Sequence, residues 1–332
     1  MIVRQIQISH LSGTSRMKSC ELTWQFLEAG ANLLLTESKP PHEIEPDEII
    51  VLNQAASINP VDWKFIDSNP LNWQKGHTPG VDGAGIVVRT GSKVPESMLG
   101  QRVCYHQSLI KNGSFSAYTV LKFTRVMLVP DRLSLLKAAI LPCPMLTAIQ
   151  AIQKLPSVHK RKILIAGYGS VAKILLQIFQ NKGASVDLLS HFASLGDAKA
   201  YGANEIFQHQ EDISGKYFAV LDLRGQESAS KLASLLRANG HLVCVQDRIE
   251  APIFKPFSNA ISYHEVALGA LHEHGDEQDW SELMATGEQY IKSLTELKYI
   301  SESSDTFTFN ELNLAITHSK QTRRKTVVVC TL

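Results

Sequence analysis

The 332-residue chain contains no Cys-x-x-Cys pair, and its five cysteines (Cys20, Cys104, Cys143, Cys244, Cys330) are scattered. That spacing argues against a disulfide framework and against a structural zinc ribbon, and it fits a reducing cytoplasm. No run of 18 apolar residues and no basic-then-apolar start occurs, so neither a membrane span nor a secretory leader is expected. Charge of one sign is also missing: 33 Lys and Arg face 32 Asp and Glu, a formal net charge of +1. No global field therefore recruits nucleic acid or an anionic membrane, and a small molecule is the expected partner. Repeats and low-complexity tracts are absent. What remains is a globular composition, 44% hydrophobic and 20% charged, in a chain long enough for two domains.

The chain changes character along its length. From about Met17 to Val129 short apolar runs, such as Ile49 to Leu52 and Gly85 to Val88, alternate with turn signals at Pro40-Pro41, Asn59-Pro60, Asn69-Pro70, Pro79-Gly80 and Asn112-Gly113. This pattern predicts a β-rich, barrel-like unit. From about Asp131 helices and strands alternate. Helical stretches at Ser134 to Ile140 and Thr147 to Gln153 precede a strand at Lys162 to Ala166, a helix at Val171 to Lys182 and a strand at Ser185 to Leu189. Strands at Ala219 to Leu223 and His241 to Val245 flank a helix expected over Glu227 to Ala238. Such alternation predicts an α/β, doubly wound parallel sheet. A helix at Trp280 to Leu294 and a strand at Thr326 to Val329 close the chain, and residues 1–16 read as an added hairpin or a start-site extension.

Gly167-Tyr168-Gly169-Ser170-Val171-Ala172 directly follows a strand and opens a helix. Gly167 allows the tight turn, Gly169 lets backbone approach a pyrophosphate, and the N–H groups at Ser170 and Val171 begin a helix whose positive end faces the ligand. Ala172 stands at the third glycine position and still permits close helix–strand packing. The next strand ends Leu189-Ser190-His191, with no acid to bind a ribose 2′-hydroxyl, and Asp187 falls too early, inside the strand. Ser190 can donate to a 2′-phosphate and His191 can add partial positive charge, which favours NADPH over NADH; the alternative for His191 is a solvated loop residue. Arg224, after the next strand, either approaches the adenosine end or points to solvent. His272-Glu273-His274 with Asp276 resembles a metal site weakly and reads better as a polar loop.

Several strings together resemble the medium-chain dehydrogenase/reductase superfamily over about Met17 to Leu332: Asn59-Pro60-Val61-Asp62-Trp63-Lys64, Pro79-Gly80-Val81-Asp82-Gly83-Ala84-Gly85, Gly113-Ser114-Phe115-Ser116-Ala117-Tyr118, Leu146-Thr147-Ala148, Tyr201-Gly202-Ala203 and Leu221-Asp222. The first is similar to the quinone oxidoreductase form of the substrate-pocket turn. The resemblance implies a Rossmann sheet plus a GroES-like β-barrel-type domain, divided as 1–130 (GroES-like), 131–275 (Rossmann) and 276–332 (a return to the first domain).

The resemblance also bears on chemistry. The positions of the superfamily's catalytic zinc ligands are occupied here by Asn59, Val81 and Cys143, so only one thiol candidate remains where three ligands are needed, and no zinc is expected. Cys143 then reads as a small buried apolar residue. The resemblance places Asn59, Lys64 and Thr147 near the nicotinamide: Asn59 to bind substrate or cofactor, Thr147 for the carboxamide, Lys64 to stabilise a developing enolate. Asn59 also reads as a turn residue bonding its own backbone. Asp62 is either part of this site or the partner of Lys64 in a structural ion pair. Residues Ile261 to Gly269 resemble an edge strand at a dimer interface, which implies a homodimer. The expected activity is zinc-independent, NADPH-dependent hydride transfer to a quinone or an α,β-unsaturated carbonyl. A nucleotide-binding sensor or structural protein with little turnover, and an alcohol dehydrogenase, are the alternatives.

Overall fold

The computed structural model describes residues 21–294 and 304–330, so the expectations for residues 1–16 lie outside it. The described chain starts with β1 (Glu21–Gln25), β2 (Leu34–Ser38) and β3 (Glu48–Ile58), then helix α1 (Pro60–Ser68), followed by β4 (Asp82–Thr90), β5 (Arg102–His106), β6 (Tyr118–Lys122) and β7 (Val126–Leu128). Helices α2 (Leu135–Ala139) and α3 (Pro142–Gln153) lead into β8 (Lys162–Ala166), α4 (Ser170–Asn181), β9 (Ser185–Leu189), α5 (Leu195–Ala200) and β10 (Ile206–Phe207). Next come β11 (Tyr217–Asp222), α6 (Gln226–Leu232), β12 (Leu236–Cys244) and β13 (Ser262–Glu265). The last elements are α7 (Ala270–His274), α8 (Glu277–Leu294), β14 (Asp305–Thr308), α9 (Leu312–Thr322) and β15 (Thr326–Val329).

Two sheets carry the architecture. One has six parallel strands in the order β10-β9-β8-β11-β12-β13. Its central strands are apolar on both faces, as a sheet covered on two sides requires: Ile163, Leu164, Ile165 and Ala166 are all buried. On one face Ile174, Leu175, Ile178 and Phe179 of α4 pack with residues of α3 and α8, including Trp280 and Met284. Leu232 of α6 packs on the other face against Val220 and Leu242. The strand order reverses between β8 and β11, which creates a crevice at their carboxyl ends, the usual place for a ligand in such sheets.

The other sheet has seven strands in the order β14-β15-β3-β4-β5-β7, with β6 also paired to β3. Its last two strands come from the C-terminal region, and β15 runs antiparallel to β3 with Thr326 opposite Ile58. Among the described residues no helix is long and apolar enough to cross a membrane.

Local differences from the sequence reading have physical causes. The helix expected over Glu227 to Ala238 stops at Leu232, and after a short 3-10 turn Leu236 already belongs to β12. Its apolar residues are demanded by the sheet, and Asn239, at φ +57°, breaks any helix there. Asn59-Pro60 is a helix start as well as a turn, because Pro60 is favoured in a first helical turn. Likewise α3 begins at Pro142, before Thr147.

Candidate active site

Strand register brings three distant segments to one point. Ser57 of β3 pairs with Asp82 of β4, and Ile58 pairs with Thr326 of β15. Asn59, Asp82 and Lys325 are therefore neighbours, and all three are buried: 3%, 0% and 9% exposed. Lys325 Nζ donates to Asn59 Oδ1 at 2.8 Å, and Asn59 Nδ2 donates to Asp82 Oδ2 at 2.9 Å. The Cys143 N–H, at the start of α3, lies 3.0 Å from each Asp82 oxygen. Asp62, in the first turn of α1, accepts from the Asn59 N–H at 2.7 Å and from the Val81 N–H at 3.0 Å. Two buried carboxylates thus hold together the turn after β3, the start of β4 and the start of α3.

Burial dominates the electrostatics. Loss of water pushes the Asp62 and Asp82 carboxyls up to about 7 each, against the opposing pull of their N–H donors and the Lys325 ammonium. Burial also pushes the Cys143 thiol far above its ordinary range, with the Asp82 charge adding to it. That environment suits an inert thiol.

Facing this cluster is the glycine loop. The Gly167 N–H bonds the Leu189 carbonyl at 2.9 Å, and Gly167 has φ +103°, a conformation that an L side chain resists. A Cβ on Gly167 would lie 3.3 Å from Leu223 Cβ and from Arg224 Cγ, whereas one on Gly169 would meet nothing within 4 Å. That open space, beside the N-terminus of α4, fits a dinucleotide pyrophosphate, since helix N-termini present N–H groups and a positive dipole end to anions. Gly167 to Ala172, Ile58, Asn59, Trp63, Cys143, Leu223, Val245, Gln246 and the basic run Arg323, Arg324, Lys325 line one cleft of about 340 Å³.

The residues singled out from sequence divide in two. Asn59, Gly167, Gly169, Ser170 and Val171 line the cleft. Asn59 accepts from Lys325 through its amide oxygen and donates to Asp82 through its amide nitrogen, so both ends of the side chain are engaged across the cluster. Asp62 and Lys64 do not pair: Asp62 is turned inward onto backbone N–H groups, while the Lys64 ammonium lies 5.9 Å from the Trp63 ring centre. Burial and then the Arg323 charge hold the Lys64 ammonium below its ordinary range. Thr147 sits one turn beyond Cys143 on α3, near enough to oppose slightly the upward shift of that thiol, and neither Lys64 nor Thr147 is among the cleft residues. Ser190 is buried, and its Oγ accepts the Phe192 and Ala193 N–H groups at 3.2 Å each; its hydroxyl proton remains available to donate. His191 is exposed, its ring 5.2 Å from that of His209. Arg224 is exposed, and its stem crosses Gly167. Asp187 does lie inside β9, salt-bridged to Lys162 at 3.0 Å and accepting from the Tyr217 hydroxyl at 2.8 Å.

The string at 272–274 is helix α7, not a loop. On a helix its two histidines diverge: His272 turns inward and its Nε2 lies 3.1 Å from His106 Nδ1, while His274 stays exposed. Sequence reasoning missed Asp82 as a site residue, although it sits in a quoted glycine-rich string. It missed Lys325 altogether, because Arg323-Arg324-Lys325 looks like a solvated charge run.

Comparisons with known proteins match both halves of the cleft. Residues 45–131 match the family model of the alcohol dehydrogenase GroES-like domain, and residues 156–254 match an NAD(P)-binding family. A trans-enoyl reductase of Aspergillus japonicus is 32% identical over 178 residues, 49% of this chain and 52% of its own. The 2-methylene-furan-3-one reductase of Solanum lycopersicum is 29% identical over 266 residues, 74% of this chain and 66% of its own. The chain spans between half and two thirds of the length of the first curated relatives it matches. The solved quinone oxidoreductase of Coxiella burnetii shares the fold, with a TM-score of 0.75 at 21% identity over 93% of this chain and 99% of that one.

Proposed function

The chain belongs to the medium-chain dehydrogenase/reductase superfamily, and from that premise we propose that it is an NADPH-dependent reductase of quinones or α,β-unsaturated carbonyls that works without a catalytic zinc. One observation carries this reading: the dinucleotide loop Gly167–Ala172 and the buried Asn59–Asp82–Lys325 cluster face each other across a single cleft. A nicotinamide dinucleotide bound there supplies hydride. The protein's own residues then have three tasks. The α4 N-terminus holds phosphate, Ile58, Trp63 and Val245 exclude water from the reacting carbon, and the cationic wall favours negative charge growing on a substrate oxygen.

The finer features rest on specific residues. Preference for NADPH is supported by the missing acid after Leu189 and by Ser190, His191 and Arg224 around that end of the loop. Zinc-independence is supported by the donor set, since Asn59 is already bonded to an ammonium, Val81 is apolar and Cys143 holds its proton. The roles of Thr147 at the carboxamide and of Lys64 at a developing enolate rest on the family resemblance, since neither residue lines the cleft. The edge position of β13, paired among the described strands only to β12, supports a homodimer. We read residues 1–130 with 276–332 as the substrate-side unit and 131–275 as the nucleotide unit, in a cytoplasmic protein.

The test is NADPH oxidation by the purified, metal-analysed protein against a panel of quinones and enones. Acceptor-dependent oxidation without stoichiometric metal is expected. Nucleotide binding without turnover on any acceptor would transfer the chain to the sensor class.

A further inference from the structure

Lys325 presents a donor inventory that its structural role does not exhaust. An ammonium has three N–H donors. Among the described residues Lys325 makes one hydrogen bond, to Asn59 Oδ1 at 2.8 Å, and forms no salt bridge within 4.0 Å. The side chain is 9% exposed and lines the cleft. The other two donors belong to a cation that lines the cleft, where an acceptor oxygen brought by a ligand can reach them. The surroundings hold the charge in place: Asp62 and Asp82 act on it electrostatically, and Asn59, clamped by Asp82, fixes the direction of Nζ.

We propose that Lys325 is a catalytic residue that grips the carbonyl oxygen of the substrate and protonates it as the carbon skeleton is reduced. The proposal rests on the reductase reading above and adds the proton donor to it. For an enone, the β-carbon receives hydride, with its electron pair, from the reduced nicotinamide. The C=C pair shifts towards the carbonyl carbon, and the carbonyl π pair moves onto oxygen. That oxygen takes a proton from Lys325 Nζ, giving an enol and a neutral amine. The enol becomes the ketone by gaining a proton at the α-carbon and losing the one on oxygen, and the amine regains its proton from solvent, so the sum is one hydride and one proton added across the double bond. Asn59 and Asp82 are positioning residues in this scheme: they touch the ammonium, directly or through each other.

The experiment compares the full chain with Lys325→Met, Lys325→Arg and the double variant Asp82→Asn/Lys325→Met, which removes the buried carboxylate along with the ammonium and guards against misfolding of the single change. The first readout needs no turnover: 4-nitrophenol, whose phenolate imitates the enolate oxygen, is titrated by absorbance with NADP⁺ present. Wild type is expected to bind the phenolate at least about tenfold more tightly than either Met variant, as loss of a charged hydrogen bond implies. The second is enone reduction, where kcat is expected to fall on the order of 10²-fold or more in both Met variants with NADPH affinity kept, the scale of a lost general acid. Lys325→Arg is expected to restore phenolate binding but not the solvent deuterium isotope effect on kcat. Folded Met variants with wild-type phenolate affinity and kcat would overturn the proposal. If the wild type binds no nucleotide, it is the reductase reading that fails, and the phenolate comparison still judges Lys325.

Discussion

Lys325 Nζ lies 2.8 Å from the amide oxygen of Asn59, although 266 residues separate them in the chain. The contact exists because β15 returns to pair with β3, one residue before Asn59 and one after Lys325. It converts a basic run near the C-terminus into the floor of the cleft and gives two buried carboxylates their counter-charge.

The carboxylate most tied into this arrangement is Asp82. Asp82→Ala leaves the Cys143 N–H and Asn59 Nδ2 without acceptors and the Lys325 charge less compensated. A stability loss of about 3 kcal/mol or more is expected from stranding buried donors beside a charge. Asp82→Asn, which keeps an acceptor oxygen, is expected to cost less. Urea unfolding of the two variants measures the difference, and equal losses would contradict the role given to the acceptor.

The glycine loop separates a folding effect from a binding effect. Gly167→Ala places a side chain at φ +103°, 3.3 Å from Leu223 Cβ, and is expected to lower stability by roughly 1–2 kcal/mol. Gly169→Val meets no protein atom within 4 Å of its new Cβ, so unfolding should change little. NADPH affinity should nevertheless fall by about tenfold or more, because the added atoms occupy the space in which a phosphate approaches backbone. Unchanged NADPH affinity in Gly169→Val would remove the pyrophosphate from this loop.

The proposed preference for NADPH makes Ser190 the position to change. Ser190→Asp keeps an oxygen able to accept the Phe192 and Ala193 N–H groups while adding negative charge beyond Leu189. The ratio of NADPH to NADH affinity is expected to drop by roughly tenfold, through repulsion of the 2′-phosphate and a new acceptor for the 2′-hydroxyl. An unaltered ratio would sink the account of Ser190.

Stability should respond to pH through the stacked pair His106 and His272, which links β5 to α7. Burial holds His272 down to about 3 and His106 well below its ordinary value. A depressed histidine stabilises the fold above its unfolded value near 6.5, and that contribution drains away as pH falls towards the folded value. Asp62 and Asp82 act oppositely, since raised carboxyls contribute most below about 4 and lose that contribution as pH rises to about 7. His272→Phe should therefore flatten the decline of Tm between pH 7 and pH 5 relative to wild type. A steeper decline in the variant would reverse the assigned sign.

Much of this molecule was legible in its residues, and the boundary is physical. Apolar runs such as Lys162 to Ala166 and Ser185 to Leu189 fell where the strands are, because a strand buried on both faces has little freedom in composition. Gly167 was legible because its positive φ favours glycine, and Gly169 because the strand–loop–helix string leaves open space beside its backbone. The Glu227 helix was overrun because Leu235 and Leu236 suit helix and strand alike until a neighbouring strand claims them. Lys325 was illegible for a different reason. Its burial comes from pairing between strands at opposite ends of the chain, and local periodicity carries no trace of that. Lys64, two residues from Asp62, forms no ion pair with it among the described residues, because Asp62 is drawn onto backbone N–H groups.

Whether the cleft takes NADPH is read by titrating purified, metal-analysed protein with NADPH and with NADH while following nicotinamide fluorescence. Saturable binding of both is expected, with NADPH the tighter by about tenfold, a difference of about 1.4 kcal/mol. Binding of neither nucleotide to folded protein would contradict this, leaving the Gly167 loop as a bare strand-to-helix turn.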